Sequence, residues 1–271
     1  MTLRFAANLS MLWTDRPFAE RFERAAAAGF DTVELWWPGP DAARQLPELC
    51  SRHRLGLALL NFDGGDMAAG ERGLANDLER HEQLRANVPL ALQIAEACGC
   101  TRLNLLVGKQ HDHATLGQQL GVAAETAAWA ADQAARHGCE VLIEAINSFE
   151  NGAYLLTTTR RAAEFTQRVG RRNVRLQYDV YHMQRMEGNL TATLDAYWPL
   201  ISHVQIADAP GRNEPGTGEV NYRFVLDHLE RKGYDGFVGL EYRPSTGDTD
   251  DSFGWLDALG RPRGRENGSR A

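Results

Sequence analysis

Four times in this chain a helix-forming stretch stops at a glycine and a new extended run begins within two residues. The joints are Ala27-Ala-Gly-Phe-Asp31, Ala97-Cys-Gly-Cys-Thr101, Arg136-His-Gly-Cys-Glu140 and Arg231-Lys-Gly-Tyr-Asp235, and Gly170 makes a further stop of the same kind. Glycine suits the position because the residue that closes a helix often takes a left-handed backbone. A chain that keeps repeating this joint alternates strand and helix, and strands separated by helices lie parallel. The runs at 3–8, 32–36, 56–61, 102–107, 140–145, 174–179, 203–207 and 237–242 read as strands. Helical stretches are expected at 17–28, 42–53, 74–98, 114–137, 159–169, 190–197 and 222–232. Eight parallel strands close a barrel, and 271 residues match the roughly 250 that such a fold needs. The expectation is an α/β chain forming a single (β/α)8 barrel over 1–259. Residues 260–271 are Gly, Arg and polar residues with almost nothing apolar and are expected to be a disordered tail. No Pro- or Ser-rich linker divides the chain, so it reads as one domain.

Composition narrows the function. The 29 basic and 36 acidic residues give a formal charge of −7, which disfavours a nonspecific grip on nucleic acid or an anionic membrane. The first residues lack a signal peptide's charged head and apolar stretch, and no run approaches the ~18 apolar residues of a membrane span. A cytoplasmic protein acting on small molecules is expected, and self-association into a homo-oligomer stays open. Cys50, Cys98, Cys100 and Cys139 are too few and scattered for a disulfide framework, and Cys98-Gly-Cys100 lacks a second pair to complete a zinc site. They read as buried or half-buried thiols.

Glu144, Asp179, Gln205 and Glu241 each stand at or near the downstream end of an apolar run. In a barrel those ends converge on one face, where catalytic groups sit. Three carboxylates and an amide oxygen form a hard, all-oxygen set suited to Mg²⁺ or Mn²⁺. Without a cation, each like-charge pair ~4 Å apart would cost about 4 kcal/mol at an effective dielectric of ~20. His182 and Glu150 follow closely on two of these ends and belong in the loops above them. A neutral imidazole there could donate to a substrate oxygen.

Two glycine-rich loops follow strands. Asp208 to Glu219 holds three glycines and two prolines, which forbid regular structure; with no Lys-Ser/Thr after them, a wall around a small polar substrate outranks a phosphate cradle. Gly64 to Gly73 could form a lid, with Arg72 available to an anion. A substrate carboxylate would need one or more of Lys109, Arg72, Arg212 and Arg243, because a buried carboxylate without a charged partner is costly. Trp13, Trp36 and Trp37 gather at the ends of the first two strands, as an apolar wall over the site or as rim packing.

Taken together these residues resemble the hydroxypyruvate isomerase family, within the xylose isomerase-like TIM barrels related to endonuclease IV. The resemblance runs from Phe5-Ala-Ala-Asn-Leu-Ser-Met-Leu-Trp13 to Gly239-Leu-Glu-Tyr-Arg-Pro244. It is most specific in Gly70-Glu-Arg-Gly73, Leu142-Ile-Glu-Ala-Ile-Asn147, Gln177-Tyr-Asp-Val-Tyr-His182 and the segment from His203 to Glu219. It implies that Glu144, Asp179, Gln205 and Glu241 bind a divalent metal, with Glu144 and Glu241 doubling as acid and base. Ketose epimerases of the group usually carry His where this chain has Gln205, which tilts the reading toward a smaller, acidic substrate. The extra His ligands of endonuclease IV are not present in pattern, so DNA repair is not implied. The implied reaction interconverts hydroxypyruvate and tartronate semialdehyde through an enediolate, with His182 donating to the oxygen that becomes negative. Glu150, Lys109, Arg72 and Arg212 are the substrate-binding candidates. The alternatives are an isomerase or epimerase of a four-carbon oxo acid or a small ketose, and a silent barrel that binds a sugar acid without turning it over.

Overall fold

Short apolar runs form the staves of a closed parallel barrel, with the strands neighbouring one another in sequence order. A computed structural model describes residues 2–264. The strands are β1 (Arg4–Asn8), β2 (Thr32–Leu35), β3 (Gly56–Asn61), β4 (Arg102–Asn104), β5 (Glu140–Glu144), β6 (Val174–Asp179), β7 (Ile201–Ile206) and β8 (Phe237–Leu240). Around them lie α1 (Phe18–Ala27), α2 (Pro40–Ala43), α3 (Leu46–His53), α4 (His81–Ala97), α5 (Leu116–Ala135), α6 (Ser148–Asn151), α7 (Thr159–Val169), α8 (Val180–Met186), α9 (Leu190–Tyr197), α10 (Tyr222–Arg231) and α11 (Gly254–Ala258). The expected (β/α)8 barrel is therefore the observed one. Fully buried Val141, Leu176, Val204 and Val238 belong to the core on neighbouring strands. The outer helices bury one stripe each: α5 lays Ala123, Ala127, Ala130, Ala131 and Ala134 inward, and α7 lays Ala162, Phe165 and Val169. Small alanines bring α5 close to the sheet, and their burial is part of what stabilises the ring.

Helix boundaries follow local chemistry. Thr115 starts α5 with a capping box, its hydroxyl accepting from the Gln118 amide while the Gln118 side chain accepts from Thr115 N. The stretch expected as one helix over 42–53 is two, because Pro40 and Pro47 each sit in a first turn, the part of a helix that tolerates proline. The stretch expected at 74–98 becomes helical only from a 3₁₀ turn at Leu78–Arg80. Its first residues are drawn away to the strand-four side, where Gly73 bridges Val107 and the Asn76 side chain donates to Lys109 O. The same bridges end β4 at Asn104 instead of residue 107. The short helices α6 and α8 were not anticipated, and both carry site residues.

At the chain's end, the first residues of the expected tail are held against the barrel. Arg261 pairs with Asp227 at 2.6 Å and with Glu230, and Arg263 donates to Ala28 O at 3.2 Å, so 260–264 dock on the helices. The expectation for 265–271 lies outside the described residues. Among the described residues no helix is long and apolar enough to cross a membrane.

Register brings the strand ends level. Glu144 pairs with Gln177, Asp179 with Gln205, and Gln205 with Gly239, so β5 to β8 end on one rim.

Candidate active site

Glu144 and Asp179 close β5 and β6, and Glu241 follows β8 directly. Asp179 also caps α8: its Oδ1 accepts from Tyr181 N at 2.7 Å and His182 N at 3.4 Å. This cap fixes where the first turn of α8 places His182 relative to Asp179. Glu144, Asp179, His182 and Glu241 are all buried, and one ligand atom from each lies within 4.8 Å of the others. His182 Nε2 stands 3.5 Å from Asp179 Oδ2 and 3.9 Å from Glu144 Oε1.

The carboxylates strain one another. Burial first, then the charges of Glu241 and Asp179, push the Glu144 carboxyl well above its ordinary range. Burial and Glu241 raise Asp179 to about 7. Arg212 supplies the local positive charge: its guanidinium contacts Glu241 and lies 4.0 Å from Asp179 Oδ2. Burial disfavours that charge, but Glu241, Asp179, Glu150 and Glu144 outweigh the penalty and hold Arg212 above its normal value. Asp179 Oδ2 is buried with no hydrogen-bond partner among the described residues. An orphaned carboxylate oxygen beside two further carboxylates fits a hard divalent cation.

His182 has a defined tautomer. The Asn147 amide donates to its Nδ1 at 2.7 Å, and the same amide nitrogen donates to Glu150 Oε2 at 3.0 Å. Because Nδ1 accepts, a neutral imidazole carries its proton on Nε2, the atom facing the carboxylates. Burial and the charges of Arg212, Arg72 and Arg185 hold His182 well below its usual value, so the ring is a neutral donor. Glu150 was expected at the substrate; it stands behind His182, accepting from Asn147 and from Tyr181 OH at 2.8 Å.

Gln205 reaches the same rim. Its Nε2 donates to Glu34 Oε1 at 2.7 Å and lies 3.4 Å from Glu241 Oε1, while its oxygen accepts from Gln177 Nε2 at 2.6 Å. Glu241 Oε1 accepts from the Trp36 indole at 2.6 Å and lies 3.5 Å from Asn8 Nδ2. Glu144 Oε2 accepts from Asn104 at 2.9 Å.

Above the carboxylates lies a cavity of ≈ 50 Å³, lined among others by Trp36, Asn61, Arg72, Arg212 and Arg243. Arg72 is held in the lid by Asn151 Oδ1 at 2.6 Å and Met67 O at 3.0 Å. Lys109 is elsewhere: its ammonium donates to Gly70 O at 3.3 Å on the far side of the lid, outside the cavity lining. Of the three tryptophans, Trp36 forms cavity wall, whereas Trp13 packs on Phe30 and Phe253 and its indole donates to Asp250. The loop from Asp208 is a built wall. Asp208 Oδ1 accepts from Ala209 N and Val220 N and Oδ2 from Gly216 N, and a Cβ on Gly218 would lie 2.0 Å from Ala209 O. This wall carries Arg212 with φ +56°. The four cysteines are free thiols, as expected.

The family model of the xylose isomerase-like TIM barrel matches residues 22–259. The hydroxypyruvate isomerase of Escherichia coli is 42% identical, over 94% of this chain and 98% of its own length. The chain belongs to the hydroxypyruvate isomerase family. Within it, the 2-oxo-tetronate isomerase of Cupriavidus necator is 39% identical over 95% of this chain and 99% of its own. Among solved structures, a Brucella melitensis protein described as an AP endonuclease of family 2 superposes with a TM-score of 0.88 at 38% identity, covering 95% of this chain and 99% of that one. A 3-keto-D-glucoside 4-epimerase of Escherichia coli shares the fold alone, with a TM-score of 0.78 at 21% identity and coverage of 95% and 100%.

Several residues that hydrogen-bond to the candidate site were not singled out in the sequence: Asn8, Glu34, Asn104, Asn147 and Gln177. A signal existed for Glu34 and Asn104, each a polar residue set inside an otherwise apolar strand, which in a barrel means an inward group with a partner.

Proposed function

We propose that this chain interconverts hydroxypyruvate and tartronate semialdehyde, moving a carbonyl between neighbouring carbons by proton transfer. The observation that carries this reading is the small cavity in which Arg72, Arg212 and Arg243 face Glu144, Glu241 and His182. At ≈ 50 Å³ it has room for roughly a few water-sized groups, and its guanidiniums suit an anion, which favours a short oxo acid over a neutral ketose.

Glu144, Asp179 and Glu241 would hold a divalent cation of the Mg²⁺ or Mn²⁺ kind, with Gln205 beside them as the neutral oxygen donor. When bound it supplies Lewis-acid polarisation of the substrate carbonyl and adjacent hydroxyl. Glu241, oriented by Trp36, Arg212 and Gln205, removes the proton from the carbon next to the carbonyl. Glu144 returns a proton to the neighbouring carbon while the hydroxyl proton passes to the former carbonyl oxygen, and exchange with solvent resets the two glutamates. His182 donates through Nε2–H to the substrate oxygen that gains charge. The arginines hold the carboxylate.

A four-carbon oxo acid is the second reading, supported by the similar identity to relatives named for each substrate, 42% and 39%. The deciding assay strips the purified protein of metal, restores Mg²⁺ or Mn²⁺, and compares hydroxypyruvate, 2-oxo-tetronate and free ketoses. Higher kcat/KM on an oxo acid than on any ketose is expected, and the better acid fixes the chain length. Preference for a ketose would overturn the reading, and metal-dependent binding with no turnover would mark a silent barrel.

A further inference from the structure

Beneath the rim, Glu34 on β2 is a fully buried carboxylate that does not line the cavity. Its oxygens accept from His203 Nε2 at 2.6 Å, Gln205 Nε2 at 2.7 Å and Asn8 Nδ2 at 3.0 Å. Strand β8, on the far side of β1 from β2, is shaped around it, since a Cβ on Gly239 would lie 2.3 Å from both Glu34 oxygens. Burying a carboxylate here is costly, so its chemistry needs a use.

The two ends of a glutamine carboxamide have nearly the same shape, and only hydrogen-bond partners decide which way it points. Gln177, on the other side of Gln205, is itself an amide, and its own oxygen has no partner among the described residues. It can serve either end. Glu34, as a carboxylate 2.7 Å from the Gln205 nitrogen, can only accept, and so can Glu241 at the longer 3.4 Å, which leaves Glu34 as the nearer of the two anchors. We propose that Glu34, clamped by His203, is a positioning residue that fixes the sense of the Gln205 carboxamide, so that the amide nitrogen is turned to Glu34 and the oxygen remains as the metal-ligating end. One lone pair of that oxygen accepts from Gln177, and the other stays available. The inference rests on the reading of Gln205 as a metal ligand.

Mn²⁺ binding to the full-length protein, followed by the EPR signal of the free ion, tests it without reference to activity. Glu34→Gln offers Gln205 an ambivalent amide and should weaken Mn²⁺ by about 10- to 100-fold, the usual effect of removing an outer-shell partner. Gln205→Glu gives the rim a ligand with two identical ends, so in that background Glu34→Gln should cause no loss. Unchanged affinity in Glu34→Gln, or an equal loss in both backgrounds, overturns the inference. Should Glu34→Gln fail to fold, Glu34→Asp keeps the charge but withdraws it from Gln205, and a smaller loss in the same direction is expected; unchanged affinity there is equally contrary. Gln205→Ala separates the two claims. If it binds Mn²⁺ as the parent does, Gln205 is no ligand and both fall; if it binds weakly while Glu34→Gln does not, only the positioning role falls.

Discussion

Glu144 and Glu241 sit in one ring but in unlike surroundings. Glu241 is contacted by Trp36 and Arg212, with the Gln205 and Asn8 amides nearby, whereas Asn104 is the donor on Glu144. Glu241→Gln and Glu144→Gln should each lower kcat by about 10²- to 10⁴-fold, the range for loss of a proton-transfer group. Steady-state assays check this, and near-normal activity in either variant removes that residue from the role. His182 acts through a tautomer that it does not set by itself. Asn147→Leu removes the closer donor to Nδ1, at 2.7 Å, and leaves only the long backbone contact from Asn147 N at 3.4 Å, so ¹⁵N NMR of the imidazole should show the Nε2–H form losing its dominance, with kcat down about tenfold or more. An unchanged tautomer would show that the Asn147 contact is dispensable. Such second-row residues were hard to read from sequence. Glu144, Asp179 and Gln205 announce themselves by ending apolar runs, whereas Asn147 gains its meaning from α8 folding back beside α6, a tertiary contact with no spacing rule.

The elements that shape the cavity are those least legible beforehand. The strands follow from their apolar runs, and Gly29, Gly99, Gly138, Gly170 and Gly233 all adopt positive φ where their helices stop. The lid obeys no such period. Where it ends, Leu74 and Ala75 mimic a helix start, yet the bridge of Gly73 to Val107 and the hydrogen bond from Asn76 N to Val107 O at 3.1 Å hold the segment beside the residues after β4 instead. Gly73 has φ +108°, and a Cβ there would fall 2.1 Å from Leu106 O, so the bridge depends on glycine. Gly73→Ala should therefore displace Arg72, raising KM for the oxo acid about tenfold while destabilising the fold by roughly 1–3 kcal/mol. Kinetics and urea unfolding measure the two effects, and an unchanged KM would place Arg72 outside substrate binding. Of the short helices missed, α8 begins on Asp179 itself, so a strand end and a helix cap share one carboxylate.

For the whole molecule, the barrel's stability is coupled to the charge it gathers on its rim. Asp179 rises from 3.8 to about 7 in the fold, so the metal-free folded state holds a proton that the unfolded chain releases. That contribution is complete below the unfolded value and is lost as pH climbs through about 7. His182, held below its ordinary 6.5, works oppositely and costs stability as pH falls below that value. Metal-free protein should accordingly lose Tm between pH 6.5 and 8. Mn²⁺ at about 100 times its Kd should restore roughly 2.7 kcal/mol, some 5–10 °C for a chain of this size. Thermal melts with and without Mn²⁺ check this, and a metal-free Tm that rises over that range would contradict the coupling. What the rim does with its charge is read most directly by turning over hydroxypyruvate in heavy water and following the product by NMR. Transfer by the glutamates places solvent deuterium on the central carbon of tartronate semialdehyde; product that keeps only the original hydrogen there, over many turnovers, would contradict proton exchange through Glu144 and Glu241.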